Sequence, residues 1–405
     1  VLTLRSKYVA PVVGPIVEDG AVHIMDGLIE SVGSGSRLTG DAVVDCGDRV
    51  LMPGFVNAHT HLQLTHLAGV CPPDQDFAGW LSRMLAHRSN DPDPSATFVS
   101  STQQGRRLSL EAGVTTVGDI TTDPTVSRPL LRDGPLRVVS FGEVIAIGKI
   151  RDRLAQSISA AADTSAIGRY VQPALSPHAP YTLEPEGLIT CARISVQSGL
   201  RICIHAAETE AEAEFCESGT GPFRANLEFA GVWDDHIPTA GCRPVELVAR
   251  SGLLTPRTII AHANYVNNGD ISLIAESGAH VAYCPRTHAA FEHGPHRYRD
   301  MLAAGINVCV ATDSLASNPS LSVIDELRFL ADRDRDVAGE TLIEMVTIRA
   351  ARALNLGVEI GSLSPGKWGD VVSIPTDARR PSDVYSDILN RTDQPRIECI
   401  SGLPF

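Results

Sequence analysis

Short apolar runs and amphipathic stretches alternate along most of the chain. The runs at 54–58, 114–119, 137–142, 170–175, 200–205, 258–262, 280–284 and 306–313 have the length of buried strands rather than helices. Between them lie stretches with helical spacing of apolar positions, among them 97–112, 184–198, 269–277 and 321–332. Strand then helix, repeated, predicts parallel strands joined by crossover helices. Eight such strands close into a (β/α)8 TIM-type barrel, an α/β fold.

The two ends are patterned differently. Ala21-Val22-His23-Ile24-Met25, Leu28-Ile29-Glu30-Ser31-Val32 and Ala42-Val43-Val44-Asp45 are strand-like and separated by Gly and Asp turns. Near the other end, Gly361-Ser362-Leu363 leads through Pro365-Gly366 to Asp370-Val371-Val372-Ser373-Ile374. A small β-sandwich domain formed from both termini, 1–50 and 356–405, is therefore expected beside a barrel at 51–355. The stretch 219–244, rich in Gly and Pro and carrying Phe223, Phe229 and Trp233, predicts a loop over the catalytic face.

Composition narrows the function classes. A formal net charge of -14 argues against nucleic acid or an anionic membrane surface as partner. No apolar run reaches the roughly 20 residues that span a bilayer, and Val1 to Lys7 carry no signal-peptide pattern, so a cytoplasmic protein is expected. Nine cysteines without a CxxC pair point to reduced, buried thiols rather than a disulfide framework.

The polar residues of interest fall at strand ends, where barrel enzymes build their sites. In His59-Thr60-His61 the two imidazoles share one side of an extended chain. His205, His262 and Asp313 end three other strands, so four strand ends converge on the barrel mouth. Neutral imidazoles with one carboxylate suit one divalent ion, Zn²⁺ first, with Fe²⁺ or Mn²⁺ as alternatives. Zn²⁺ lowers the pKa of water from about 15.7 to roughly 7, which yields a nucleophile near neutral pH. Glu208 is a carboxyl placed to protonate a ring nitrogen and then a leaving amine. The competing reading makes it a solvated helix-start glutamate, since Thr209-Glu210-Ala211-Glu212 continues in that style. Cys203 shares a face with His205 and is expected to line the barrel.

Together these residues resemble the amidohydrolase superfamily across nearly the whole chain. The marks are Pro53-Gly54-Phe55-Val56-Asn57-Ala58-His59-Thr60-His61, His205-Ala206-Ala207-Glu208, His262-Ala263-Asn264, Ala311-Thr312-Asp313-Ser314, and the tail from Gly361 to Asp370. The resemblance implies that His59, His61, His205 and Asp313 ligate the metal. It also implies that His262 hydrogen-bonds the water or the intermediate, that Glu208 is a proton shuttle, and that Asp313 also accepts the water's proton. Some members bridge two metals with a carboxylated lysine at the end of strand four. Here that strand ends Ser176-Pro177-His178-Ala179-Pro180-Tyr181-Thr182, and the lysines are Lys7, Lys149 and Lys367, so one metal is expected.

The pattern is similar to the deaminase branch, closest in look to aminofutalosine deaminases, which convert 6-amino-6-deoxyfutalosine to futalosine in menaquinone biosynthesis. This implies an aromatic amine substrate on a purine-like ring, loss of ammonia, and the homodimer common for such barrels. Gln63 stands where that pattern has Glu. Gln63, His178, Arg286 and His288 are the candidate substrate contacts, Arg286 as partner for a substrate carboxylate, with His293 reaching in from the same loop as His288. Trp80, Phe223 and Phe291 can stack on a flat ring or pack among themselves. Open alternatives are deamination of S-adenosylhomocysteine or methylthioadenosine, guanine or a pterin, and dechlorination of a triazine. Beyond those lie cyclic amide hydrolysis and an inactive scaffold.

Overall fold

The computed structural model describes residues 1–35 and 42–405. Five strands come first: β1 (Leu2–Val9), β2 (Val17–Met25), β3 (Leu28–Ser34), β4 (Ala42–Asp45) and β5 (Arg49–Pro53). Eight barrel strands follow: β6 (Phe55–Thr60), β7 (Val114–Thr121), β8 (Arg137–Val144), β9 (Val171–Pro177), β10 (Ile202–Ala206), β11 (Thr258–His262), β12 (His280–Tyr283) and β13 (Asn307–Val310). The chain ends with β14 (Val371–Pro375), β15 (Arg396–Ile400) and β16 (Leu403–Pro404).

β6 to β13 pair in chain order, all parallel, with helices between them. The ring closes through a parallel bridge between Thr60 and Asp313, where Asp313 N–H donates to the His59 carbonyl at 3.1 Å and Thr60 Oγ1 to the Asp313 carbonyl at 2.8 Å. Inward positions carry Val56, Ala58, Ile120, Phe141, Ala174, Cys203, Ile259, Ala261 and Cys309, small and large side chains that fill the interior. Helix Ile348–Ala353 packs its alanines and Leu354 into the same cluster. Gly118 lies where a Cβ would come within 2.3 Å of the Ala58 carbonyl oxygen, so neighbouring strands approach closely there only because the residue is glycine.

The termini meet in one mixed sheet, ordered β16-β15-β14-β5-β1-β2-β3 with β4 beside β1. β14 runs antiparallel to β5, with Val371 opposite Pro53, and this pairing joins the chain's two ends. Leu2–Val9 and Arg49–Pro53 are strands that the alternation of polar and apolar residues did not single out; both are largely buried, which blurs a period of two. The small domain is anchored on the barrel by a buried ion pair, Arg137 with Asp370 at 3.2 Å, and by Arg137 Nη2 on Ser401 Oγ at 2.9 Å. Helix Val384–Asn390, also not anticipated, packs Val384, Ile388 and Leu389 into the barrel's outer core. The stretch 219–244 is not all loop, because Pro222–Phe229 forms a helix that starts on a proline.

Over the barrel mouth sits a separate apolar cluster that includes Leu64, Phe77, Trp80, Tyr181, Phe215, Phe223 and Phe291. Trp80 and Phe291 meet edge to face at 4.9 Å, and Tyr181 stacks on Phe223 at 3.8 Å. These aromatic rings pack on one another. Each of the nine cysteines is a free thiol, and Cys203 lies in the barrel interior as expected. No helix among the described residues is long and apolar enough to cross a membrane.

Candidate active site

Strand geometry alone does not aim the site residues; breaks in it do. Val56 and Ala58 point into the barrel, so strict alternation would turn His59 outward. A register irregularity between Asn57 and Thr60 shifts the parity and brings His59 and His61 inside. At β11, Ile259 and Ala261 face inward, and His262 follows them with φ of 71°. Ala207 (54°), Ala263 (52°) and Asp313 (59°) are left-handed as well. Non-glycine residues adopt that conformation at a cost of order 1–3 kcal/mol each, and such outliers gather at functional sites.

The ring of His59 lies 5.2 Å from that of His61, 4.9 Å from His205 and 5.4 Å from His262. One ligand atom from each of His59, His61 and His205 lies within 4.8 Å of the others, and all three residues are buried. Asp313 Oδ1 is 3.4 Å from His61 Nε2 and 3.8 Å from His59 Nε2. His205 Nδ1 lies 2.9 Å from the His178 carbonyl, which fixes Nδ1 as the protonated nitrogen and leaves Nε2 with its lone pair. That Nε2 is 3.3 Å from His61 Nε2. A tetrahedral ion with bonds of ~2.0–2.1 Å spaces two donor nitrogens by roughly 3.3 Å. His59 Nε2 is buried without any hydrogen-bond partner. Burial and mutual proximity hold His59 and His61 well below the usual histidine range, and burial lowers His205 to about 4. Neutral imidazoles with unshared lone pairs turned on one point fit a divalent cation.

Beside this cluster, Glu208 Oε1 lies 3.4 Å from His262 Nε2, and the Glu208 residue is 4% exposed. Burial, then the charges of Asp313 and Glu212, push its carboxyl well above the usual glutamate range, which favours the protonated form. This rules out the solvated helix-start reading for Glu208, and for Glu212 too. Glu212 is fully buried and accepts the backbone N–H of Ala207 at 3.1 Å and of Glu208 at 2.7 Å. Asn264 Nδ2 donates to the Glu208 carbonyl at 3.0 Å. His296 supports His262, its Nε2 lying 2.9 Å from the His262 carbonyl. Asp313 Oδ2 accepts from Ser317 Oγ at 2.8 Å, while burial lifts its pKa to about 6.

The four candidate substrate contacts differ. The His178 ring is 5.0 Å from that of His205, and its Nδ1 lies 2.7 Å from Thr182 Oγ1. His288 is buried with both ring nitrogens unpartnered, and His293, 5.4 Å away, has an unpartnered Nε2. Gln63 is engaged, its Oε1 accepting from Thr122 N at 3.0 Å and Thr122 Oγ1 at 2.9 Å. Arg286 is engaged too, donating to Ser320 Oγ at 2.9 Å beside Glu326 at 3.8 Å. Glu143, Glu212, Asn264, His296 and Ser317 were missed in the sequence. For Glu143 a signal existed, since it is a carboxyl near the C-terminal end of a barrel strand.

A model of the amidohydrolase family matches residues 50–398. The chain belongs to that family. A 5-methylthioadenosine/S-adenosylhomocysteine deaminase of Moorella thermoacetica is 29% identical to it over 393 residues, 94% of this chain and 86% of the relative. The structure of an adenosine deaminase from Xanthomonas campestris with bound zinc superposes with a TM-score of 0.82 at 24% identity, over 100% of this chain and 92% of that one. Aminofutalosine deaminase of Helicobacter pylori, in complex with methylthio-coformycin, superposes with a TM-score of 0.87 at 20% identity, over the full length of both chains. This amidohydrolase is a hydrolase of carbon–nitrogen bonds.

Proposed function

We propose that this amidohydrolase is a one-metal hydrolytic deaminase that replaces an amino group on a purine-like ring by oxygen and releases ammonia. Methylthioadenosine, S-adenosylhomocysteine and 6-amino-6-deoxyfutalosine are its candidate substrates, and zinc its ion. The carrying observation is the buried Glu208 carboxyl 3.4 Å from His262, beside a cluster of imidazoles suited to a cation. The similarity to the Moorella deaminase over 94% of the chain supports the same reading.

His59, His61, His205 and Asp313 would hold the ion. A divalent ion there supplies Lewis acidity that makes water nucleophilic near neutral pH. Asp313 takes the proton that water loses on adding to the amino-bearing ring carbon. His262 hydrogen-bonds the added oxygen, with its backbone fixed by His296. Glu208 gives its proton to the adjacent ring nitrogen, which lets the ring carbon become tetrahedral. The C–N bond then breaks as Glu208, now a carboxylate, passes the remaining proton of the added oxygen to the amino group; the ring is left with a C=O, the solution with NH3, and the proton held by Asp313 restores Glu208. His178 and His288 contact the heterocycle; Gln63 and Arg286 shape its surroundings through Thr122, Ser320 and Glu326.

The test is ammonia release by zinc-loaded protein from methylthioadenosine, S-adenosylhomocysteine, adenosine, 6-amino-6-deoxyfutalosine, guanine and a pterin. Ammonia from at least one is expected. No ammonia from any, or ring opening of a cyclic amide instead, overturns the proposal.

A further inference from the structure

One buried carboxyl near the metal cluster takes no part in the chemistry above. Glu143 follows Val139 and Phe141 on the inward face of β8, so the strand delivers its side chain to the top of the barrel interior. That side chain is 6% exposed. Apart from Glu208, which has His262 Nε2 at 3.4 Å, the other buried carboxyls around the mouth have donors. Glu212 takes two backbone N–H groups, Glu326 takes Asn318 Nδ2 and the Arg286 N–H, and Asp119 takes the Leu62 N–H. Among the described residues Glu143 has none within hydrogen-bonding distance; its ionisable neighbour is His178 Nε2, 3.8 Å from Oε1.

That separation is too wide for a hydrogen bond. His178 Nδ1 is committed to Thr182, so Nε2 is the nitrogen left for a ligand. A buried carboxylate without a donor is destabilising unless something completes its hydrogen bonding. Glu143 and His178 thus form an acceptor and an imidazole face with an unfilled hydrogen-bonding position between them. The His178 ring lies 5.0 Å from that of His205, so a substrate whose reacting carbon is at the metal cluster reaches this pair with another part of its body.

We propose that Glu143 is the specificity-determining carboxylate of the site, accepting a hydrogen bond from a hydroxyl or ring N–H on the part of the substrate that lies over His178. The proposal rests on the deaminase reading and deepens it. The substrate carries a hydrogen-bond donor away from its reacting carbon, and an analogue without that donor is rejected because it would leave the carboxylate buried and unpaired.

The test is titration calorimetry on zinc-loaded wild type, Glu143→Gln and Glu143→Ala. The probes are purine riboside (ribose hydroxyls, no ring N–H), 9-methylpurine (neither donor) and free purine (ring N–H only). A donor-bearing probe should bind Glu143→Ala about 10- to 100-fold more weakly than wild type, and 9-methylpurine should bind both alike. Glu143→Gln, which keeps a carbonyl acceptor and the same shape, should fall between them and carries the comparison should the alanine variant not fold. Loss confined to purine riboside assigns the donor to the sugar, and loss confined to free purine assigns it to the ring. A structural role for Glu143 would weaken all probes equally, and that result overturns the proposal, as does unchanged binding of all three. Wild type with zinc in place that binds none of them overturns the deaminase reading and this one with it. That outcome is distinct, because in the others wild type binds.

Discussion

Replacing Glu212 tests how the loop that carries Glu208 is held. The Glu212 carboxyl is fully buried and accepts from Ala207 N at 3.1 Å and Glu208 N at 2.7 Å, while Ala207 sits in a left-handed conformation. Glu212→Ala leaves two buried N–H groups without an acceptor. At ~1–3 kcal/mol for each buried donor left unsatisfied, the loss is about 2–6 kcal/mol, a large part of a typical total stability. Glu212→Gln keeps the volume and one acceptor oxygen but sets an NH2 against the other N–H, so about half of that loss, ~1–3 kcal/mol, is expected. With an unfolding entropy of ~2 cal/mol/K per residue, a chain of this length should melt roughly 3 °C lower. The effect on turnover should be larger than the effect on stability. Glu208 and His262 meet at 3.4 Å, and a shift of about 1 Å in a reacting group costs on the order of 100-fold. The assay pairs urea and thermal unfolding with ammonia release and zinc content. Glu212→Gln should retain zinc while kcat falls about 100-fold. A variant that melts and turns over like wild type would show that this carboxylate does not position Glu208.

Glu208→Gln removes the proposed proton donor but not a proposed ligand. Turnover should fall by about 10²–10⁴-fold with bound zinc unchanged, and loss of the metal together with activity would refute its assigned role. His59→Ala removes a proposed ligand whose Nε2 has no other partner, so metal analysis should find the site emptied, and zinc should fail to raise the melting temperature of the variant while raising that of wild type. His288→Leu probes pH dependence without removing a hydrogen bond, since both ring nitrogens are unpartnered. Burial lowers His288 to about 3, so the folded protein keeps the ring neutral while the unfolded chain binds a proton below about 6.5. The stability that wild type holds at pH 7.5 is therefore lost as pH falls, and by pH 4.5 it should lose about 3 kcal/mol relative to His288→Leu. Parallel urea midpoints for the two proteins across that range would contradict the shift.

The barrel, its eight strands and the convergence of His59, His61 and His205, which could hold a metal ion, were legible in the sequence, because buried parallel strands leave apolar runs and polar side chains at their ends stand out against them. The sequence also showed that the termini share a small sheet and that the thiols are unpaired. The direction in which each strand-end side chain points was decided by tertiary structure. The irregularity after Asn57 and the left-handed residues His262 and Asp313 reverse or rotate faces that simple alternation would assign otherwise. Burial of individual carboxyls was equally hidden. Glu210 and Glu212 look alike in the chain, yet one is exposed on its helix and the other turns inward onto the backbone N–H groups ahead of it. Local sequence fixes which groups are available and at what spacing. Whether a group meets water, a backbone donor or an unfilled position beside a histidine depends on strands and loops distant in the chain, and only the closed barrel brings those together.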